Sequence, residues 1–521
     1  MRNKILLCLL SVAMLSMGWW QLTGLPLLGA LVPLLLISGS EDASRRGFWR
    51  MWGWVALTLT LWSWATVWWV WNATPIGPIA SAVIMPVLMG GAFMVYHYVS
   101  KRAPKALAYT VLVSVWIAAE YLYNIGQVSF PWLVLGNGFA WDVRLVQWYD
   151  VTGVFGGSLW VLICNILIYE AITSRSRKMW TAAALVALLP VCLSLVRYWT
   201  YEIPKATAVS TVVQPNIDPY KKFDEIPREQ QVAMLLELAA EAPADAEWIV
   251  TPETALADPI REDMLDQAYA VQDFRALMAD RYPRAQAILG ASTQRLYMDG
   301  SQPWTAHHLG QNLWLDYYNT VLGIDSSAHI QIRHKSLLLV GVEMTPYYKY
   351  LRDAKFLIID MGGMAGQHGV DPEPVVFRSP QGHLSGAAVC WEGVFGGYMG
   401  GFTQRGAQMI HIISNEGWWG DTPGHRQLFA FARLRAVELR RAVARSANTG
   451  TSGFIDPRGD VVSKMGWDVR GTLTAALPLS DQVTFYARQG DYIGRIASYV
   501  LALSILYFIA YRMRRKDHLV R

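Results

Sequence analysis

The chain has 521 residues, of which 53% are apolar and only 16% charged, against ~25% charged in an ordinary soluble domain. That composition excludes a disordered chain, and a net charge of +5 from 45 basic and 40 acidic residues is too balanced for a nucleic-acid binder. Four scattered cysteines, Cys8, Cys164, Cys192 and Cys390, form neither a disulfide framework nor a metal-ligand spacing.

In chain order, apolar runs able to cross a bilayer lie near 5–21, 24–40, 51–71, 79–99, 106–124, 150–172, 178–198 and 493–511. Arg2 and Lys4 precede the first run as in a signal peptide, but no small-x-small cleavage site follows, so the run is expected to be retained. Most tryptophans fall in the first 200 residues, as interfacial aromatic belts would. Basic clusters (Arg2 and Lys4; Arg45, Arg46 and Arg50; Lys101, Arg102 and Lys105; Arg175, Arg177 and Lys178; Arg512, Arg514, Arg515 and Lys516) recur on alternate loops. The positive-inside rule then makes both termini cytoplasmic. The expected organisation is a seven-span membrane domain over 1–198, an extramembrane domain over 199–492, and a last span with a basic tail over 493–521. Residues 125–149, with Pro131, Gly136 and Gly138 interrupting an aromatic run, should lie at the interface or re-enter the membrane packed against protein. Glu120 and Asp150 read as capping or snorkelling charges before they read as functional ones.

Beyond Ala206 short β-branched runs alternate with helical stretches near 226–241, 266–281 and 424–440, which predicts a layered α/β domain. Three reactive residues stand at apparent strand ends: Glu253 after "WIVTP", Lys335 after "IQIRH" and Cys390 after "SGAAV". A thiol becomes an effective nucleophile when a carboxylate takes its proton, and a nearby ammonium can stabilise both thiolate and oxyanion. From the residues alone the alternative stays open: a buried cysteine, a surface lysine and a glutamate capping a helix after Pro252. The Gly-rich Met361–Asp371 reads as a loop beside the site; it lacks a phosphate-loop pattern.

Glu, Lys and Cys in this order in an α/β chain resemble the nitrilase superfamily. With seven spans before the domain and one after, the chain resembles the bacterial apolipoprotein N-acyltransferases. The strings that carry the resemblance are "VVQPNI" (212–217), "TPETAL" (251–256), "HKSLLLVGVEMTPY" (334–347), "CWEG" (390–393), "SNEGWWGD" (414–421), "FARLRAVELRRAVARSANTG" (431–450) and "IDPRG" (455–459), with "FPW" (130–132) and "GVFGGS" (153–158) in the membrane half. The resemblance implies a multi-span helical membrane domain joined to a nitrilase-like α-β-β-α sandwich on the periplasmic side of the inner membrane. It implies Glu253 as general base, Lys335 as oxyanion stabiliser and Cys390 as nucleophile. Glu343 and Glu392 match further family carboxylates, with a structural ion pair or backbone cap as the competing role for each. Phe223 stands where some members have Trp and Trp391 where some have Tyr, while Leu339 interrupts a frequent "VP-G" pattern; these departures bear on acyl-chain or head-group preference.

The implied reaction is ping-pong. Acyl transfer runs from a phospholipid, typically phosphatidylethanolamine, to Cys390 and then to the α-amine of a diacylglyceryl apolipoprotein. Neither a cofactor nor a metal is implied: His307, His308, His411 and His425 make no HExxH pattern, and there is no CxxC. The aromatics Trp418–Trp419 and Tyr347–Tyr348 are candidates for excluding water, or simply for anchoring. Two other readings remain: a membrane-anchored amide hydrolase with water as acceptor, and a transporter or lipid-binding scaffold with a degenerate catalytic domain.

Overall fold

The computed structural model describes residues 2–223, 225–347 and 367–520. The chain divides into two compact units, one of residues 1–200 and 489–521, the other of residues 201–488.

The first unit is helical. Helices run over Arg2–Ser16, Val32–Ser40, Arg45–Val67, Ile76–Met85, Gly91–Ser100, Lys105–Ile125, Tyr149–Ser174, Arg177–Thr200 and Tyr492–Val520. Among the described residues five stretches are long and apolar enough to cross a membrane: Ile76–Ser100, Lys105–Ile125, Tyr149–Ser174, Arg177–Thr200 and Tyr492–Arg515. Leu25–Ser40 is apolar but shorter, and Arg2–Ser16 has only 15 residues. Arg45–Val67 is long enough, yet three arginines in its first turns and five tryptophans lower its hydropathy.

The interrupted 125–149 stretch forms short 3-10 turns over Pro131–Leu133, Leu135–Phe139 and Val143–Leu145. Backbone that is not helical needs protein partners where water is absent. Here Trp19 Nε1 donates to the Trp132 carbonyl at 3.1 Å, the Leu135 amide to Glu120 Oε1 at 2.9 Å, and Tyr149 Oη to the Gly136 carbonyl at 2.9 Å. A Cβ on Gly136 would stand 1.9 Å from the Val154 carbonyl oxygen, so only glycine fits that contact. Asp150 is ion-paired with Arg197 at 2.6 Å. Both carboxylates therefore act as fasteners.

Among the described residues the second unit holds fourteen strands. In chain order they are β1 (Thr207–Gln214), β2 (Trp248–Val250), β3 (Leu256–Arg261), β4 (Gln286–Tyr297), β5 (His307–Gly310), β6 (Leu313–Ile324), β7 (Ile330–His334), β8 (Val376–Arg378), β9 (Leu384–Val389), β10 (Met409–Ser414), β11 (Val443–Ala447), β12 (Ser452–Ile455), β13 (Val461–Met465) and β14 (Gly471–Pro478). One sheet has the order β14-β1-β2-β4-β6-β5, with β3 on β4 and β7 on β6; the other runs β13-β12-β11-β10-β9-β8. The two inner faces meet through Val212, Trp248, Val250 and Ile288 of the first sheet and Val389, Met409, Ile413 and Phe454 of the second. Helices Arg228–Ala239 and Tyr269–Arg281 cover the outer face of the first sheet, and Gly396–Gln404 and Pro423–Leu439 that of the second. The result is the α-β-β-α sandwich expected from the sequence. Strands β1, β2 and β4 pair in parallel, as do β9, β10 and β11. Their carboxyl ends are where such folds place ligands.

Candidate active site

Glu253 lies three residues beyond β2, Lys335 directly after β7, and Cys390 directly after β9. Three residues widely separated in sequence thus arrive at strand ends in one buried region.

Lys335 is buried and donates from Nζ to Glu253 Oε1 at 3.1 Å and to Glu343 Oε1 at 3.0 Å, with Glu343 Oε2 at 2.9 Å. Asn319 of β6 holds the two carboxylates at a fixed spacing, its Nδ2 donating to Oε1 of both at 2.8 Å. Its carbonyl accepts the Lys335 amide at 2.8 Å. Glu343 is anchored in turn by the Leu339 amide at 2.7 Å. Burial by itself would lower the Lys335 ammonium, but Glu253 and then Glu343 outweigh it and hold it above the usual lysine range. Burial pushes the other way on Glu343, and Lys335 overcomes that to keep its carboxyl below the usual range.

Cys390 has a left-handed backbone, φ 48°, at the point where β9 passes into the 3-10 turn Cys390–Val394. A left-handed cysteine is strained and persists only where its surroundings over-determine it. Burial, and next the charge of Glu253, push its thiol well above the ordinary cysteine range, while Lys335 opposes them. At rest the site therefore holds a neutral thiol beside an ion-paired lysine. The turn carrying Glu253 is also tightly made: Thr254 has φ 48°, and a Cβ on Gly290 would stand 2.1 Å from the Pro252 carbonyl oxygen and 2.8 Å from Glu253 Cα.

Glu392 ties the segment after Lys335 to the end of β9. Its Oε1 pairs with Arg333 and accepts the Ser336 amide at 2.6 Å, and its Oε2 accepts the Val389 amide at 2.7 Å. Both Arg333 and Glu392 are fully buried. The competing role anticipated for Glu392, a buried ion pair and backbone cap, describes these contacts. Trp391 is 4% exposed and packs edge-on against Phe395 with ring centroids 5.8 Å apart. Phe223 is half-buried, with Lys222 Nζ 5.7 Å and Arg228 Cζ 5.9 Å from its ring centre. Trp418 is buried against Tyr220 at 5.0 Å. Tyr348 and residues 361–366 of the Gly-rich stretch lie outside the described residues, whereas Gln367 onward is described: the His368 amide donates to the Glu343 carbonyl at 3.0 Å.

Several participants were not singled out from the sequence. Asn319 had a usable signal, an amide directly ahead of the buried "TVLGI" end of a strand. His334, next to Lys335, accepts no such reading in advance: its ring lies between Asp371 Oδ1 at 2.9 Å and Glu262 Oε1 at 2.8 Å. Glu416, within electrostatic reach of Cys390, pairs with the fully buried Arg445.

The description "Carbon-nitrogen hydrolase" matches residues 211–485, and "Apolipoprotein N-acyltransferase N-terminal domain" matches residues 7–167. A protein of Chlorobaculum tepidum named apolipoprotein N-acyltransferase is 29% identical over 480 residues, 90% of this chain and 88% of that one. A protein of the same name from Geobacter metallireducens is 25% identical over 516 residues, 94% of this chain and 91% of its own. Among solved structures an amidase from Nesterenkonia sp. aligns with 57% of this chain and 98% of its own, at 16% identity and a TM-score of 0.37.

Proposed function

The chain belongs to the carbon-nitrogen hydrolase family, and from that premise we propose that it is a membrane-bound apolipoprotein N-acyltransferase. The observation that carries the reading is Lys335 held between Glu253 and Glu343 beside a left-handed cysteine, in a chain with apolar helices and an acyltransferase-type N-terminal domain. The alternation of basic loops supports a catalytic unit on the periplasmic side of the bacterial inner membrane.

In the first half-reaction Cys390 attacks the acyl-ester carbonyl of a phospholipid, with phosphatidylethanolamine the expected donor. Glu253 takes the thiol proton as the S–C bond forms. Lys335, with backbone amides of the turn that starts at Cys390, receives the charge on the carbonyl oxygen. When the ester C–O bond breaks, Glu253 returns the proton to the departing alkoxide, which leaves as a lysophospholipid. In the second half-reaction the neutral α-amine of a diacylglyceryl-cysteine attacks the thioester. Glu253 accepts its N–H proton and passes it to the Cys390 sulfur as the amide forms. A thioester suits this relay because it retains acyl-transfer potential toward an amine. Glu343 and Asn319 keep Lys335 and Glu253 in register, and Trp391 and Phe223 are assigned to the walls met by the acyl chain or head group.

The test is intact mass of the detergent-purified protein after incubation with phosphatidylethanolamine, beside Cys390→Ala. A hydroxylamine-labile acyl adduct on the wild type alone is expected. Its absence from folded protein, or its appearance on the alanine variant, removes the assignment. Release of free fatty acid with no transfer to a lipidated peptide amine would turn the reading to a hydrolase.

A further inference from the structure

One cation near the site has no part in the reaction described above. Lys222 stands in the turn after β1 and is only 1% exposed. Its main chain is pinned: its amide donates to the Asp218 carbonyl at 2.9 Å, and its own carbonyl accepts Arg228 and Gln231. Its Nζ donates to Thr254 Oγ1 at 3.1 Å and, among the described residues, has no carboxylate in ion-pair contact. A buried ammonium with three donors and one neutral acceptor is a costly arrangement. The charged groups that face it among the described residues are Glu253, which attracts it, and Arg228, which repels it and is itself paired with Asp258 at 2.7 Å. Thr254, the residue it holds, is the left-handed residue next to Glu253.

We propose that Lys222 is a positioning residue for the general base: it fastens the strained Glu253–Thr254 turn and supplies a second positive charge, beside Lys335, that keeps the Glu253 carboxylate ionised and ready to take the thiol proton. The assignment rests on the reading of Glu253 as base. Burial pushes the Lys222 ammonium down to about 7, with Glu253 opposing and Arg228 adding to the fall. Lys222 is therefore charged on the acid side of neutrality, where an ionised carboxylate is hardest to keep, and largely neutral above it.

The readout is the rate of Cys390 alkylation by iodoacetamide against pH, measured on the Cys390 peptide of the full chain in detergent, which needs no lipid substrate. Removing a cation that attracts the carboxylate is expected to move the acid limb of the profile up by about 1 pH unit. Lys222→Met is thus expected to react roughly tenfold more slowly than wild type at about pH 5 and within about twofold of it at about pH 8. Lys222→Arg should keep the wild-type limb. A uniform drop at every pH, or an unmoved limb, makes Lys222 a structural fastener and overturns the proposal. Should Lys222→Met not fold, Lys222→Gln, which retains a donor for Thr254 without charge, carries the same comparison. Glu253→Gln separates the two readings. If it leaves alkylation unchanged, the base assignment falls; if it slows alkylation while the Lys222 limb stays put, only the role of Lys222 falls.

Discussion

His334 sits directly before Lys335, and its imidazole is clasped by two carboxylates from distant parts of the chain, Glu262 at 2.8 Å and Asp371 at 2.9 Å. The Asp371 carboxylate also takes the His334 amide at 2.8 Å, and the Tyr318 ring lies against the imidazole, tilted by 31°, at 4.1 Å between centroids. Burial lowers the tendency of the ring to hold a proton, but Asp371 and Glu262 overcome it and raise the imidazole from 6.5 to about 9. A group raised in the folded state adds stability that is complete below its unfolded value and is lost as pH rises through its folded value. The window is therefore about 6.5 to 9, and the contribution is roughly 3 kcal/mol, since each pKa unit is worth about 1.4 kcal/mol. On the acid side the same ion pairs hold the Glu262 and Asp371 carboxyls low, so their contribution persists until pH falls through those lowered values. Thermal melting of the full chain in detergent, wild type beside His334→Gln, reads this directly. In a domain of a few hundred residues 1 kcal/mol moves Tm by about 2–4 °C, so the variant should melt roughly 6–12 °C below wild type at about pH 6. The gap should narrow progressively as pH approaches about 9. Parallel Tm curves for the two proteins across that range would refute the clasp as a charged one.

Glu392→Gln leaves Arg333 buried without its carboxylate and should cost about 3–5 kcal/mol, read as a lower Tm, while the double variant Arg333→Met with Glu392→Leu should recover much of that loss. Gly290→Ala puts a Cβ against the Pro252 carbonyl and must displace the Glu253 turn; thioester formation should fall about 10²-fold with a smaller effect on melting. Glu343→Gln keeps the shape but removes one of the two charges on Lys335, and should slow acyl-enzyme formation by about 10²-fold with KM little changed. Melting curves check the first of these, and stopped acylation assays, with Tm as the folding control, check the other two.

Much of the sandwich could be read in the sequence because its central strands are fully buried and write themselves as continuous apolar runs. β9 "LSGAAV" and β10 "MIHIIS" are examples, and the helices expected at 226–241, 266–281 and 424–440 appear as Arg228–Ala239, Tyr269–Arg281 and Pro423–Leu439. The strands left unread, β5, β8, β13 and β14, lie at sheet edges or next to them and are short or half-exposed, as in "VVSKM", so tertiary pairing decides them and local pattern does not. The placement of Glu253, Lys335 and Cys390 was legible because each follows a recognisable strand. Lys222, Arg333 and His334 were not. A lysine in a turn, or an arginine and a histidine at a strand's end, reads as solvated charge, and burial is a property that only the assembled fold confers.

The buried charges explain why the thiol waits. Lys335 carries one positive charge against the two negative charges of Glu253 and Glu343, so ionising Cys390 before substrate arrives would add a second uncompensated anion beside buried carboxylates. In the proposed reaction, proton transfer to Glu253 avoids that accumulation, because the negative charge moves from carboxylate to sulfur instead of being created. It then passes to the carbonyl oxygen as the S–C bond forms, in reach of Lys335. At each step the ammonium faces the same total charge in a different place. On the proposal above, Lys222 lightens the load on the carboxylate while the charge still rests there. In the proposed reaction, a site arranged this way keeps Cys390 protonated and inert until an acyl carbonyl is present to receive the charge.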